Sequence, residues 1–154
     1  MSSSLVKVLL FLMLSGCSDF NAEAMFKSHG VSVKQEEIHN LRGGKASCLH
    51  CPMYFMFDTK PELVEKFISE HQLQQVRTLS PEILGIVRLV ESEASWWQLG
   101  NLTAQDKVYW IHFSPKRPEL ESAFRLLVVQ NMKTFFVTSG HFNPADYHAS
   151  VGNK

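Results

Sequence analysis

Residues 107–139 read KVYWIHFSPKRPELESAFRLLVVQNMKTFFVTS. Lys107 to Phe113 alternates and is rich in β-branched and aromatic side chains, the pattern of a half-buried strand. Pro115 and Pro118 interrupt the chain after it. Phe124 to Gln130 and Thr134 to Ser139 are two further apolar runs, parted by Asn131-Met132-Lys133, which predicts a β-hairpin. Upstream, Met53-Tyr54-Phe55-Met56-Phe57 is a short aromatic and apolar run that suits a buried strand, stopped by Asp58-Thr59. Thr59-Lys60-Pro61-Glu62 then has the spacing of a capping box, with Pro61 near the favoured first helical position. Leu63, Val64, Phe67, Ile68 and His71 follow at helical spacing and predict an amphipathic helix of about three turns. Ser80-Pro81-Glu82 opens a second helix carrying Ile83, Leu84, Val87 and Val90, with Gly85 weakening it. The order is strand, helix, helix, strand, strand, strand. It predicts an α+β fold: a small antiparallel or mixed sheet of about four strands, with the two helices packed on one face.

Composition is consistent with one folded unit. The chain has 154 residues, 45% of them hydrophobic and 19% charged. That length supports a single core and that composition argues against disorder. Fifteen basic and fifteen acidic residues cancel, so there is no cationic surplus to draw the phosphate backbone of a nucleic acid. Three cysteines are too few for a disulfide-dense miniprotein.

The amino terminus reads MSSSLVKVLLFLMLSGCSDF. Lys7 precedes an apolar run from Val8 to Leu14, far short of the roughly 20 residues a membrane-spanning helix needs and within the span of an export signal's apolar region. The run ends in Leu14-Ser15-Gly16-Cys17, which resembles the lipobox of bacterial lipoprotein precursors at every position. The resemblance implies cleavage before Cys17 and a diacylglyceryl group on its thiol. Small side chains at Ser15 and Gly16 suit approach of a peptidase, and the thiol is the nucleophile that accepts the lipid. Each buried methylene contributes ~0.8 kcal/mol and one acyl chain holds only marginally; lipoproteins of this class carry two or three. Ser18 after the cysteine implies passage to the outer membrane, facing the periplasm. Loss of residues 1–16 removes Lys7, so acidic residues then outnumber basic ones by one. The expected organisation is a signal peptide over 1–16, a lipidated tether over 17–47, the α+β domain over 48–139 and a polar tail over 140–154.

Chemistry-bearing motifs are sparse. Cys48-Leu49-His50-Cys51 fits a disulfide between Cys48 and Cys51 in an oxidising compartment; closing so small a loop contributes about 2 kcal/mol before strain. A thioredoxin-like role fits poorly, because the pair precedes an apolar strand and Pro52 holds Cys51 toward extended backbone. The sharper alternative is a metal site on Cys48, His50 and Cys51, with His39, Met53 and Met56 as further soft or nitrogen donors. A single CxxC without a second pair is weak support for zinc. His71 continues an apolar helix face and reads as a packed histidine; His112 lies among aromatic strand residues, and His141 and His148 in the tail. No GxSxG elbow, phosphate loop, HExxH or carboxylate pair accompanies them, so neither an enzyme nor a cofactor is expected. In Trp96-Trp97 one indole is expected in the core and one at its rim, where it could form a ligand platform. The function these features favour is a membrane-anchored, non-catalytic interaction or adaptor module with an envelope protein as partner; the alternative is a metal- or thiol-handling lipoprotein using Cys48 and Cys51.

Overall fold

The computed structural model describes residues 24, 34–46, 52–97, 99–103, 105–117, 119, 121–140 and 146–150. After a 3-10 turn at Gln35–Glu37, the elements are β1 (Arg42–Lys45), β2 (Met53–Asp58), α1 (Pro61–His71), β3 (Gln74–Val76), α2 (Pro81–Glu93), β4 (Lys107–Pro115), β5 (Ala123–Gln130), β6 (Lys133–Ser139) and β7 (Tyr147–Ser150). The fold is α+β. Among the described residues its sheet has seven strands rather than about four, in the order β1-β2-β6-β5-β4-β3, with β7 also on β4. Every pairing is antiparallel. β3 takes Val108–Trp110 and β7 takes His112–Pro115, so the two share one edge of β4.

The strands foreseen as apolar runs form the centre. Their side chains alternate between two cores. Phe55, Phe57, Ile111, Phe113, Leu127 and Phe136 face one side, with Leu63, Val64 and Phe67 of α1 packed on them. Tyr54, Val108, Trp110, Leu126, Val128, Phe135 and Val137 face the other, under Ile83, Val87 and Val90 of α2. The helices therefore cover opposite faces, not one. The reason lies in the runs themselves: Leu126-Leu127-Val128 and Phe135-Phe136-Val137 are buried without a break, and a strand apolar at every position needs cover on both sides.

The helix ends show a second correction. Ser80 caps α2 as expected, its Oγ accepting from the Ile83 N–H at 3.3 Å. Thr59 does not cap α1; the N-cap is Lys60, with no side-chain bond. Thr59 is instead drawn to β6, its hydroxyl bonded to that of Thr134 at 2.9 Å and its N–H donating to the Met132 carbonyl at 2.9 Å. Helix α1 ends where Gln72 turns left-handed, φ 54°, and the Leu73 N–H reaches back to the Ile68 carbonyl, closing a Schellman-type end.

The hairpin between β5 and β6 has a two-residue loop, because Gln130 pairs with Lys133. Asn131 and Met132 take φ of 49° and 62°, the doubly left-handed form that matches strand twist. The segment read as a tether contributes β1 and the buried Ile38, and the polar tail contributes β7.

Candidate functional site

On the α2 face, Ile83, Val87 and Val90 share one core with Val76, Val108, Trp110, Leu126 and Val128. Over β1, β2 and β6 the cover is aromatic. Trp97 is buried and meets Phe135 edge-on at 4.9 Å. Trp96 stays half-buried, braced by Tyr54 at 5.7 Å and by Trp97 at 6.3 Å between ring centroids. The tryptophan pair thus divides as expected, one in the core and one at its rim. Tyr54 is in turn wedged over Gly44, where an added Cβ would lie 2.8 Å from the phenol oxygen. Burial raises the Tyr54 phenol above its ordinary pKa, so it remains neutral.

Beside Trp96 lies an open groove of about 660 Å³, lined by Asn40, Leu41, Arg42, Met56, Trp96, Gln130, Asn131, Lys133 and Phe135. Its polar rim is preset. Asp58 accepts from the Lys133 ammonium and from the Asn40 amide at 2.5 Å, and these two bonds, Lys133 first, hold its carboxyl below the usual aspartate range. Buried Gln130 donates to Asp106 at 3.0 Å, and Asp106 also accepts from the Thr103 N–H at 2.6 Å. Asn101, Thr103 and Asp106 are thereby tied to the hairpin. Arg42 is exposed, and among the described residues its side chain makes neither a hydrogen bond nor an ion pair. At the hairpin tip Met132 is 77% exposed, the most exposed of the large apolar side chains described. An aromatic ring, cations and carboxamides thus share one groove, with an exposed thioether at the neighbouring hairpin tip.

Two smaller hollows lie elsewhere among the described residues, with neither tryptophan nor methionine in their lining. One of about 300 Å³ lies at the start of α1 against Gln105–Lys107. The other, about 590 Å³, runs along α2 between Leu84 and Leu102.

Cys17, Cys48, His50, Cys51 and His141 lie outside the described residues. Among the described residues no three His, Cys, Asp or Glu side chains gather as a metal site, and no helix is long and apolar enough to cross a membrane. Met53 and Met56 are half-buried strand residues. His71 is a packed histidine, its ring 5.5 Å from Phe136 and 5.9 Å from Phe67. His112 stacks on Trp110 at 6.4 Å; His39 and His148 are exposed. On the α1 face Arg125 is 1% exposed, donates to the carbonyls of Phe124 and Ser139 and lies over the Phe113 ring. Burial lowers its pKa to about 10.

Arg42, Asn40, Gln130 and Lys133 went unnoticed as site residues. The signal for them was faint: a non-glycine pair in a tight hairpin loop, and a Gly-Gly flanked by cations. No family model matches the chain, and neither a curated protein nor a solved structure does.

Proposed function

We propose that this chain is a lipid-anchored binding module of the bacterial envelope. In this reading a diacylglyceryl group on Cys17 holds it to the outer membrane, facing the periplasm, and the Trp96 groove docks a protein partner. The observation that carries the docking role is Trp96 itself. It is braced on one side by Tyr54 and Trp97 and open to the groove on the other, so little side-chain freedom is lost on contact. Trp, Met and Arg are enriched at protein interfaces, and central aromatic residues dominate their energetics; Trp96, Met56, Arg42 and the neighbouring Met132 supply that set. The anchor rests on Leu14-Ser15-Gly16-Cys17.

The test is photo-crosslinking in cells, with a photoreactive amino acid placed at Met132 or Arg42. A discrete protein adduct is expected, lost in Trp96→Ala, and recovered with the membrane fraction only while Cys17 is present. Absence of an adduct from both positions would overturn the docking role. Unchanged processing and membrane fractionation in Cys17→Ala would overturn the anchor.

A further inference from the structure

Among the described residues the strand edge beside the groove is open, because β1 pairs there with β2 alone. The Ala46 N–H donates to the Pro52 carbonyl at 3.1 Å, which marks that opposed pair as hydrogen-bonded. In an antiparallel ladder bonded and non-bonded pairs alternate. Gly44–Tyr54 and Arg42–Met56 share its phase, so the N–H and C=O groups of Gly43 and Lys45 point away from β2. No hydrogen bond occupies them among the described residues. Gly43 and Gly44 carry no side chains that would obstruct an approaching backbone, and the exposed Arg42 and Lys45 flank them on opposite faces of the strand.

We propose that the β1 edge takes up an extended acidic segment of a partner protein as an added strand, its carboxylates read by Arg42 and Lys45. This deepens the docking role above and rests on it, since Arg42 belongs to both the edge and the groove. Main-chain bonds to Gly43 and Lys45 would supply attachment, and alternate side chains specificity. The charges decide the occupant. A second copy of β1 laid antiparallel through Gly43 and Lys45 would bring Lys45 or Arg42 opposite or diagonal to its own counterpart on the same face, and like charges so placed are unfavourable. The same cations that repel a copy of this chain attract carboxylates three residues apart on opposite faces of an incoming strand.

The experiment selects random heptapeptides displayed on phage against the immobilised full chain, then titrates the recovered sequences as synthetic peptides. Enriched peptides should carry Asp or Glu among β-branched residues, shift the amide resonances of Gly43 and Lys45, and weaken about tenfold or more at high salt. Gly43→Pro removes one outward donor while sparing the β1–β2 bonds, and should cut affinity by about tenfold or more. Arg42→Glu with Lys45→Glu should turn the selection toward basic peptides, and these exposed substitutions keep the decision open should Gly43→Pro unfold the strand. Recovered peptides without acidic bias, binding indifferent to Gly43→Pro in a folded protein, or acidic selection that survives the charge reversal would each overturn edge addition. If the adduct from Met132 persists in cells while edge addition fails, the binding module stands and only this mode of capture falls.

Discussion

Replacing Met132 by glycine should make the protein more stable while blunting its binding surface. Met132 sits at φ 62°, in the left-handed region that costs a residue with a Cβ about 1–2 kcal/mol. Glycine relieves that cost but widens the unfolded ensemble, which returns roughly 0.4–1 kcal/mol. The side chain is 77% exposed, so its burial contributes only a small part of the roughly 1.5–3 kcal/mol available to a fully buried methionine. The bond from the Thr59 N–H goes to the Met132 carbonyl and survives the change. The net gain is about 0.5 kcal/mol, a rise in Tm of roughly 1–3 °C for a domain of this size. Met132→Asn, which tolerates the same backbone without glycine's unfolded-state entropy, should gain about 1 kcal/mol. Urea denaturation with an unchanged slope is the assay. A lower midpoint for both variants would show that the methionine side chain stabilises the hairpin, and the case for it as a contact residue would fail. A higher midpoint together with loss of the in-cell adduct would mean that a strained, exposed methionine is kept for contact rather than for folding.

Gly44→Ala should destabilise by about 1–3 kcal/mol, because the new Cβ meets the Tyr54 ring, and the displaced Tyr54 should shift the Trp96 fluorescence maximum; an unshifted spectrum would disprove that coupling. Phe67→Ala should cost about 3–5 kcal/mol in chemical denaturation, since Phe67 is fully buried against Phe57 and Phe136, and a loss under 1 kcal/mol would mean that α1 is not seated on this core. Acid should weaken the groove rim. The Asp58 carboxyl is held below its ordinary value of 3.8 by Lys133 and Asn40, so its contribution is present above that pH and is lost as pH falls through the lowered pKa. Wild type should exceed Asp58→Asn in denaturation midpoint at neutral pH, with the gap closing below about pH 3.8; a constant gap would refute the assignment.

Strands β2, β4, β5 and β6 were legible because each carries a run of apolar and aromatic side chains long enough to display a period. β1, β3 and β7 were not. Their sequences, RGGK, QQV and YHAS, bury few side chains, and they are strands because a neighbour's backbone offers hydrogen bonds. Both helices are readable from spacing, but the face each covers is not. The unbroken burial of Leu126-Leu127-Val128 carried that information, and a helix–helix–strand order alone does not. Thr59 departs from its capping spacing for a related reason: that spacing is local, whereas its partner, Thr134, is brought in by sheet pairing. The division of labour between Trp96 and Trp97 was visible in the sequence. The groove was not, because residues 40–42, 56, 96 and 130–135 meet only after the sheet has formed.

The placement of the last strand has a practical consequence. β7 lies on β4, at the opposite margin of the sheet from β1. Five interstrand steps at about 4.8 Å each set the two margins roughly 24 Å apart. A fluorescent reporter coupled at the exposed His148 position of β7 would therefore sit clear of the Arg42 margin, so labelling there leaves the surface under study uncovered.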